Sequence, residues 1–134
     1  MKQVLVTVLI IIQLLLLTAC ILDNETATVK DGTYILDYSG IDEVLLPNVK
    51  ISEGKLIFSY NLLSSYLNIG SYTIKDDVLT MVTDDGQYTY EFLIDGDTLI
   101  FQKKESSEIR TPGGGVGVEI EDQAEFILDN ETEE

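Results

Sequence analysis

Carboxylates gather in two short stretches of this chain, Asp84-Asp85-Gly86 and Asp95-Gly96-Asp97. Calcium takes roughly six to eight oxygen ligands, and Asp at alternate positions supplies several. Asp84, Asp85, Asp95 and Asp97 are therefore the candidate calcium ligands. Neither stretch continues into the EF-hand pattern, which needs a Glu downstream of its glycine. Asp and Gly also favour the backbone angles of tight turns, and two hairpin turns are the preferred reading, with no metal site expected. Ser64-Ser65-Tyr66 with Lys55 or Lys75 would suggest a serine–lysine hydrolase. No lysine follows Ser64 or Ser65 at the Ser-x-x-Lys spacing, so both read as loop residues that satisfy backbone groups. The chain has no histidine. That removes Ser-His-Asp and Cys-His catalysis and the imidazole ligands of zinc, copper and non-haem iron sites. No catalytic residue and no cofactor is expected.

The single cysteine, Cys20, leaves no partner for a disulfide and no thiolate cluster. Its chemistry is set by what precedes it. Lys2 is the only basic residue before Lys30, and residues 4–17 are apolar except for Thr7 and Gln13. Leu17-Thr18-Ala19-Cys20 follows at once. A charged start, an apolar run and a small-residue cut site make a secretory signal peptide. Leu17, Thr18, Ala19 and Cys20 resemble the lipobox of bacterial lipoproteins. The resemblance implies cleavage before Cys20 and a diacylglyceryl group on its thiol. The alternative is an uncleaved membrane anchor, since a span needs roughly 20 apolar residues. In either case Lys2 stays inside and the remaining chain lies outside. The expected location is extracytoplasmic, held at the cell membrane by lipid. The expected divisions are a signal peptide at 1–19, a tether at 20–31, a β domain at 32–128 and an acidic tail at 129–134.

Charge narrows the partners. Twenty-four Asp and Glu face eight Lys and Arg, a formal net charge of −16. Such a surface repels phosphate backbones and anionic headgroups, so nucleic acid is not an expected partner. A cationic ligand or a basic envelope protein is allowed.

Strands must position all of these groups. From Gly32 onward apolar residues alternate with polar ones, the period of a half-buried strand. Tyr34, Leu36 and Tyr38 share a face, as do Leu56, Phe58 and Tyr60, and then Tyr88, Tyr90, Phe92 and Ile94. Asp76-Asp77, Asp84-Asp85-Gly86 and Asp95-Gly96-Asp97 separate the strands as hairpin signals. Pro47 limits residues 44–51 to an edge or broken strand. Residues 61–68 are too short for a helix and read as one turn or a sheet-crossing loop. Residues 103–117 read as a loop because they hold Pro112 and three consecutive glycines, and residues 118–128 read as a last strand or hairpin. Short connections join antiparallel neighbours. The expected fold is all-β, an antiparallel meander or small up-and-down barrel after an N-terminal signal helix. Tyr34, Leu36, Phe58, Tyr72, Ile74, Leu79, Met81, Tyr90, Phe92, Leu99 and Phe101 are the expected core, and they are numerous enough to fill the barrel rather than leave a cavity. The hexapeptide Ile-Leu-Asp-Asn-Glu-Thr occurs at 21–26 and again at 127–132.

Residues 56–101 carry a family resemblance. Leu63-Ser64-Ser65-Tyr66, the pair Gly70 and Tyr72, Asp77-Val78-Leu79-Thr80 and the run from Asp84 to Phe92 look like a module of small Firmicute lipoproteins of unknown function. The same module resembles tails of β-lactam-sensor-like membrane peptidases, and residues 121–128 resemble its final strand. The resemblance implies a lipocalin-like barrel or meander and no established activity. Two functions stay open. The first is a non-enzymatic binding or interaction module of the cell envelope. The second is an envelope hydrolase using paired carboxylates, one of them raised in pKa by burial.

Overall fold

The computed structural model describes residues 1–4, 26–61, 64–109 and 117–130. The lipobox residues Leu17, Thr18, Ala19 and Cys20, nearly all of the signal segment and the triple glycine lie outside the described residues. Among the described residues no helix is long and apolar enough to cross a membrane.

Eight strands follow one another: β1 (Gly32–Leu36), β2 (Asn48–Ser52), β3 (Lys55–Ser59), β4 (Asn68–Lys75), β5 (Val78–Thr83), β6 (Thr89–Asp95), β7 (Thr98–Phe101) and β8 (Glu125–Leu128). Each pairs antiparallel with the next, and β8 returns to β1, so the sheet closes into an up-and-down barrel. The closing register sets Tyr34 opposite Leu128 and Leu36 opposite Phe126. Closure removes every free edge, which an open sheet would expose to other chains.

Alternation decides what goes inside. Along β6, Tyr90, Phe92 and Ile94 are buried, while Thr89, Glu91 and Leu93 face outward. The same rule buries Val49 and Ile51, Leu56 and Phe58, Leu79 and Met81, Leu99 and Phe101. Tyr34, Phe58, Tyr90, Phe92, Phe101 and Phe126 are fully buried. Phe58 stands at the centre, with Tyr90, Phe92, Phe101 and Phe126 all within 5.1–5.9 Å, mostly edge to face. A barrel of about eight strands is just wide enough for side chains to fill, and here aromatic rings fill it. Gly70 is required where β4 pairs with β5: a Cβ there would collide with the Val82 carbonyl oxygen.

The two ends differ in construction. At one end the strands turn in two residues, through Glu53-Gly54, Asp76-Asp77 and Gly96-Asp97. Positive φ angles at Glu53 (52°), Gly54 (77°), Asp76 (51°), Asp77 (63°) and Gly96 (58°) suit the sharp hairpins that match strand twist. The residues before β1 lie across this end. Ala27 and Val29 pack against the core. The Lys30 amide donates to the Tyr34 hydroxyl at 3.2 Å, and that hydroxyl donates back to the Lys30 carbonyl at 3.0 Å. Lys30 Nζ pairs with Asp97 at 2.9 Å, and Asp31 accepts the Glu53 amide at 3.1 Å. At the other end run the longer connections, 37–47, 60–67, 84–88 and 102–124. Val118 and Ile120 are buried there, outside any strand.

Several expectations need correction. β2 is no edge strand: it pairs with β1 and β3, and Pro47 precedes it, so the missing amide costs no ladder bond. The Pro47 carbonyl accepts the Leu36 amide instead. Tyr38 leaves the Tyr34 and Leu36 face because β1 ends at Leu36, and it is half exposed. Tyr72 and Ile74 are only partly buried. They lie on the far half of β4, beyond Ser71, where the β3 pairing stops. The last strand is confined to Glu125–Leu128, and Lys103–Glu105 forms one 3-10 turn within the expected loop.

Candidate functional site

The barrel places Asp84 and Asp85 at one end of β6 and Asp95 and Asp97 at the other. They do not meet, and no group of three or more potential metal ligands converges among the described residues. Each pair is engaged otherwise. Lys55 Nζ lies 2.8 Å from Asp84 and Lys30 reaches Asp97. One oxygen of Asp85 accepts the Tyr66 hydroxyl, and the other accepts the Thr83 hydroxyl at 2.7 Å and the Gln87 amide at 3.0 Å. Donation from Tyr66, then from Thr83 and Gln87, holds the Asp85 carboxyl below the usual range. The same bond pushes the Tyr66 hydroxyl upward, because the phenol serves as donor to a carboxylate. Asp122 also titrates low: burial acts upward on it, but the Lys103 amide and the Lys104 ammonium outweigh burial.

The serines are placed as loop residues. Ser64 Oγ accepts the Tyr66 amide at 3.1 Å, and Lys75 lies at the opposite end of β4 from this loop. A Ser-x-x-Lys spacing that the sequence reading passed over exists at Ser52 and Lys55. These are cross-strand partners flanking a hairpin turn, with Lys55 directed to Asp84 and Ser71.

Tyrosines mark the loop end; of these only Tyr90 belongs to the expected core, and the spacing of Tyr60, Tyr66 and Tyr88 does not show that they meet. A recess of about 180 Å³ opens there, floored by Phe58 and Asn68 and walled by Tyr60, Ser64, Tyr66 and Leu67. Tyr66 meets Tyr88 edge to face at 5.6 Å, and Tyr88 stacks on Tyr90 at 6.4 Å. Buried Asn68 fixes the floor: its Oδ1 accepts the Tyr90 hydroxyl at 3.3 Å, and its Nδ2 donates to the Phe58 carbonyl at 3.3 Å. Burial, with the neighbouring Tyr60 hydroxyl, pushes Tyr90 far upward, so it stays a neutral donor. The lining offers ring faces and neutral hydroxyl and amide groups. Such a lining can hold a ligand by stacking and by neutral hydrogen bonds.

A second recess, of about 420 Å³, lies on the outer wall where β8 meets β1, under the 37–47 connection. Tyr38, Val44 and Leu45 of that connection are 50%, 76% and 57% exposed. Tyr66 and Leu67 are also exposed, so the large apolar side chains left in water outside the N-terminal residues gather mainly on the longer loops. Comparison with protein-family models, with curated proteins and with solved structures gives no match to this chain.

Proposed function

We propose that the chain is a lipid-anchored bacterial cell-envelope lipoprotein whose barrel is a non-enzymatic binding module. The apolar run ending in Leu17, Thr18, Ala19 and Cys20 supports the anchor. The observation that carries the binding reading is the polarity of the barrel. The chain enters across the tight-turn end, and the exposed apolar side chains lie mainly on the loops of the other end. Residues 27–31 are laid against the barrel, so the seven residues 20–26 set its distance from the bilayer, at most about 25 Å. β6 alone spans seven residues, roughly 23 Å. An acylated Cys20 would therefore hold the barrel by its tight-turn end, within about one barrel length of the membrane, and we infer that the loops of the other end are the face offered to a partner. Asp85 and Asp122, both held low, do not suit the general-acid role that hydrolysis by paired carboxylates needs.

Two measurements test this reading. Mass spectrometry of membrane-extracted protein should find diacylglyceryl on Cys20 at a new N-terminus, and Cys20→Ser should release the barrel or leave an unprocessed precursor. An unmodified Cys20 within an intact N-terminus would mean a membrane-spanning anchor instead. For the binding module, a photoreactive side chain at position 45 or 67 should give a discrete crosslinked adduct in the native envelope, and one at position 76 should not. Equal labelling from both ends would remove the polarity that the reading depends on.

A further inference from the structure

The β1–β8 wall recess has a floor and a rim of different chemistry. Ile35 and Ile127 are cross-strand partners that face outward, since Tyr34 and Leu128 beside them face in. Ile127 is 43% exposed. Tyr38, Glu43 and Leu46 bring the 37–47 connection over this pair. Along the strands the outward rows continue with acids: Asp37 follows Ile35, and Glu125 and Asp129 flank Ile127. Outward neighbours two residues apart are roughly 6.6 Å apart, so apolar and acidic groups alternate along the groove at strand spacing.

Charge selects the occupant. The ion pairs among the described residues are Lys30–Asp97, Lys55–Asp84, Lys103–Glu119 and Lys104–Asp122, and none involves Asp37, Glu43 or Glu125. On β2 the outward residue opposite Ile35 is neutral Asn48, with Lys50 one step nearer the tight-turn end, opposite Thr33. The rim therefore keeps a negative field over an apolar floor. An anionic lipid surface is repelled by it, and so is a second copy of a chain with net charge −16.

We propose that this groove docks a basic segment of another envelope protein, one in which Lys or Arg alternates with apolar residues. The apolar side chains cover Ile35 and Ile127, and the cations meet Asp37 and Glu43 at the loop end of the groove. The proposal rests on the reading of the barrel as a binding module and names the surface and the partner chemistry.

The test uses the full chain in a neutral detergent and the fluorescent peptide Lys-Leu-Lys-Leu-Lys-Leu-Lys, with binding read by anisotropy. Asp37→Asn with Glu43→Gln should weaken binding about tenfold. Ile127→Thr, a β-former on an exposed face, should weaken it severalfold at unchanged charge. Asp76→Asn with Asp77→Asn, which removes the same charge at the far end, should change it less than about twofold. The melting temperatures of all three variants should stay near that of the parent, which separates lost binding from lost fold. Equal weakening by the two charge pairs would overturn the proposal, leaving only diffuse attraction to an acidic protein. So would a lack of effect from Ile127→Thr. If the adduct from position 45 contains a partner segment without basic residues, this proposal fails while the binding-module reading stands.

Discussion

The tight-turn end and the loop end of the barrel are built from the same eight strands but solve different problems. At the tight-turn end each crossing takes two residues, and the chain before β1 is fastened down by Tyr34, Asp97 and Glu53. At the loop end the crossings are long, apolar side chains stay in water, and Tyr66 joins the 60–67 and 84–88 loops through its contacts with Asp85 and Tyr88. Short turns fix register and leave little surface to vary. Long loops on a filled, closed barrel can carry recognition without loosening the core.

The core shared by the two ends should dominate stability. Phe58→Ala removes the ring that touches Tyr90, Phe92, Phe101 and Phe126, and should cost about 3–5 kcal/mol. Thermal denaturation should show one cooperative transition lowered by more than about 10 °C. Two separate transitions would mean that the ends are independent. Next in size is Gly70→Ala. The new methyl would press on the Val82 carbonyl and force β4 from β5, at about 1–3 kcal/mol, measured by urea denaturation.

The tight-turn end offers a change of the opposite sign. Asp76 and Asp77 both hold left-handed angles that glycine adopts at less cost. Asp77→Gly should therefore stabilise the hairpin, by up to about 1 kcal/mol. The same denaturation curves check it, and a loss would mean that the Asp77 carboxylate makes a contact worth more than the turn strain.

How much of this was legible in the sequence depends on where strand periodicity ran undisturbed. Residues 88–94 alternate without a break, and Tyr90 and Phe92 lie inside as expected. Leu46, Val49 and Ile51 were lost from the expected core because Pro47 argued against a central strand, although a proline just before a strand breaks no ladder bond. Phe126 and Leu128 were missed because the glycine-rich stretch before them hides the register. Val118 and Ile120 alternate with exposed neighbours as strand residues do and are buried, although they lie in a loop. Tyr72 and Ile74 have the right parity but lie where the neighbouring strand has ended. The candidate sites were less legible. The tyrosine recess and the β1–β8 groove depend on which loops meet which strands, and the spacing of residues does not encode that.

The smallest expected effect is a pH-dependent one at the loop end. Asp85 titrates below the ordinary carboxylate range when folded, so its contact with Tyr66 stabilises the loops above that range and is lost as pH falls through the lowered value. Tyr66 titrates above the ordinary tyrosine value, so the same contact is present below that value and lost as pH rises through the raised one. Amide exchange at residues 64–67 should quicken at both extremes beyond its intrinsic pH dependence, and Tyr66→Phe should abolish the excess. Residues 53–54 and 76–77 should show none of it.

The orientation proposed for an acylated barrel is tested most directly by paramagnetic relaxation from spin-labelled lipid headgroups, with the membrane-extracted protein in a bilayer nanodisc. Broadening should be strongest for amides at 53–54, 76–77 and 96–97 and weakest at 41–45 and 64–67. Stronger broadening at 41–45 and 64–67 would place the apolar loops in the membrane and contradict a binding face directed away from it.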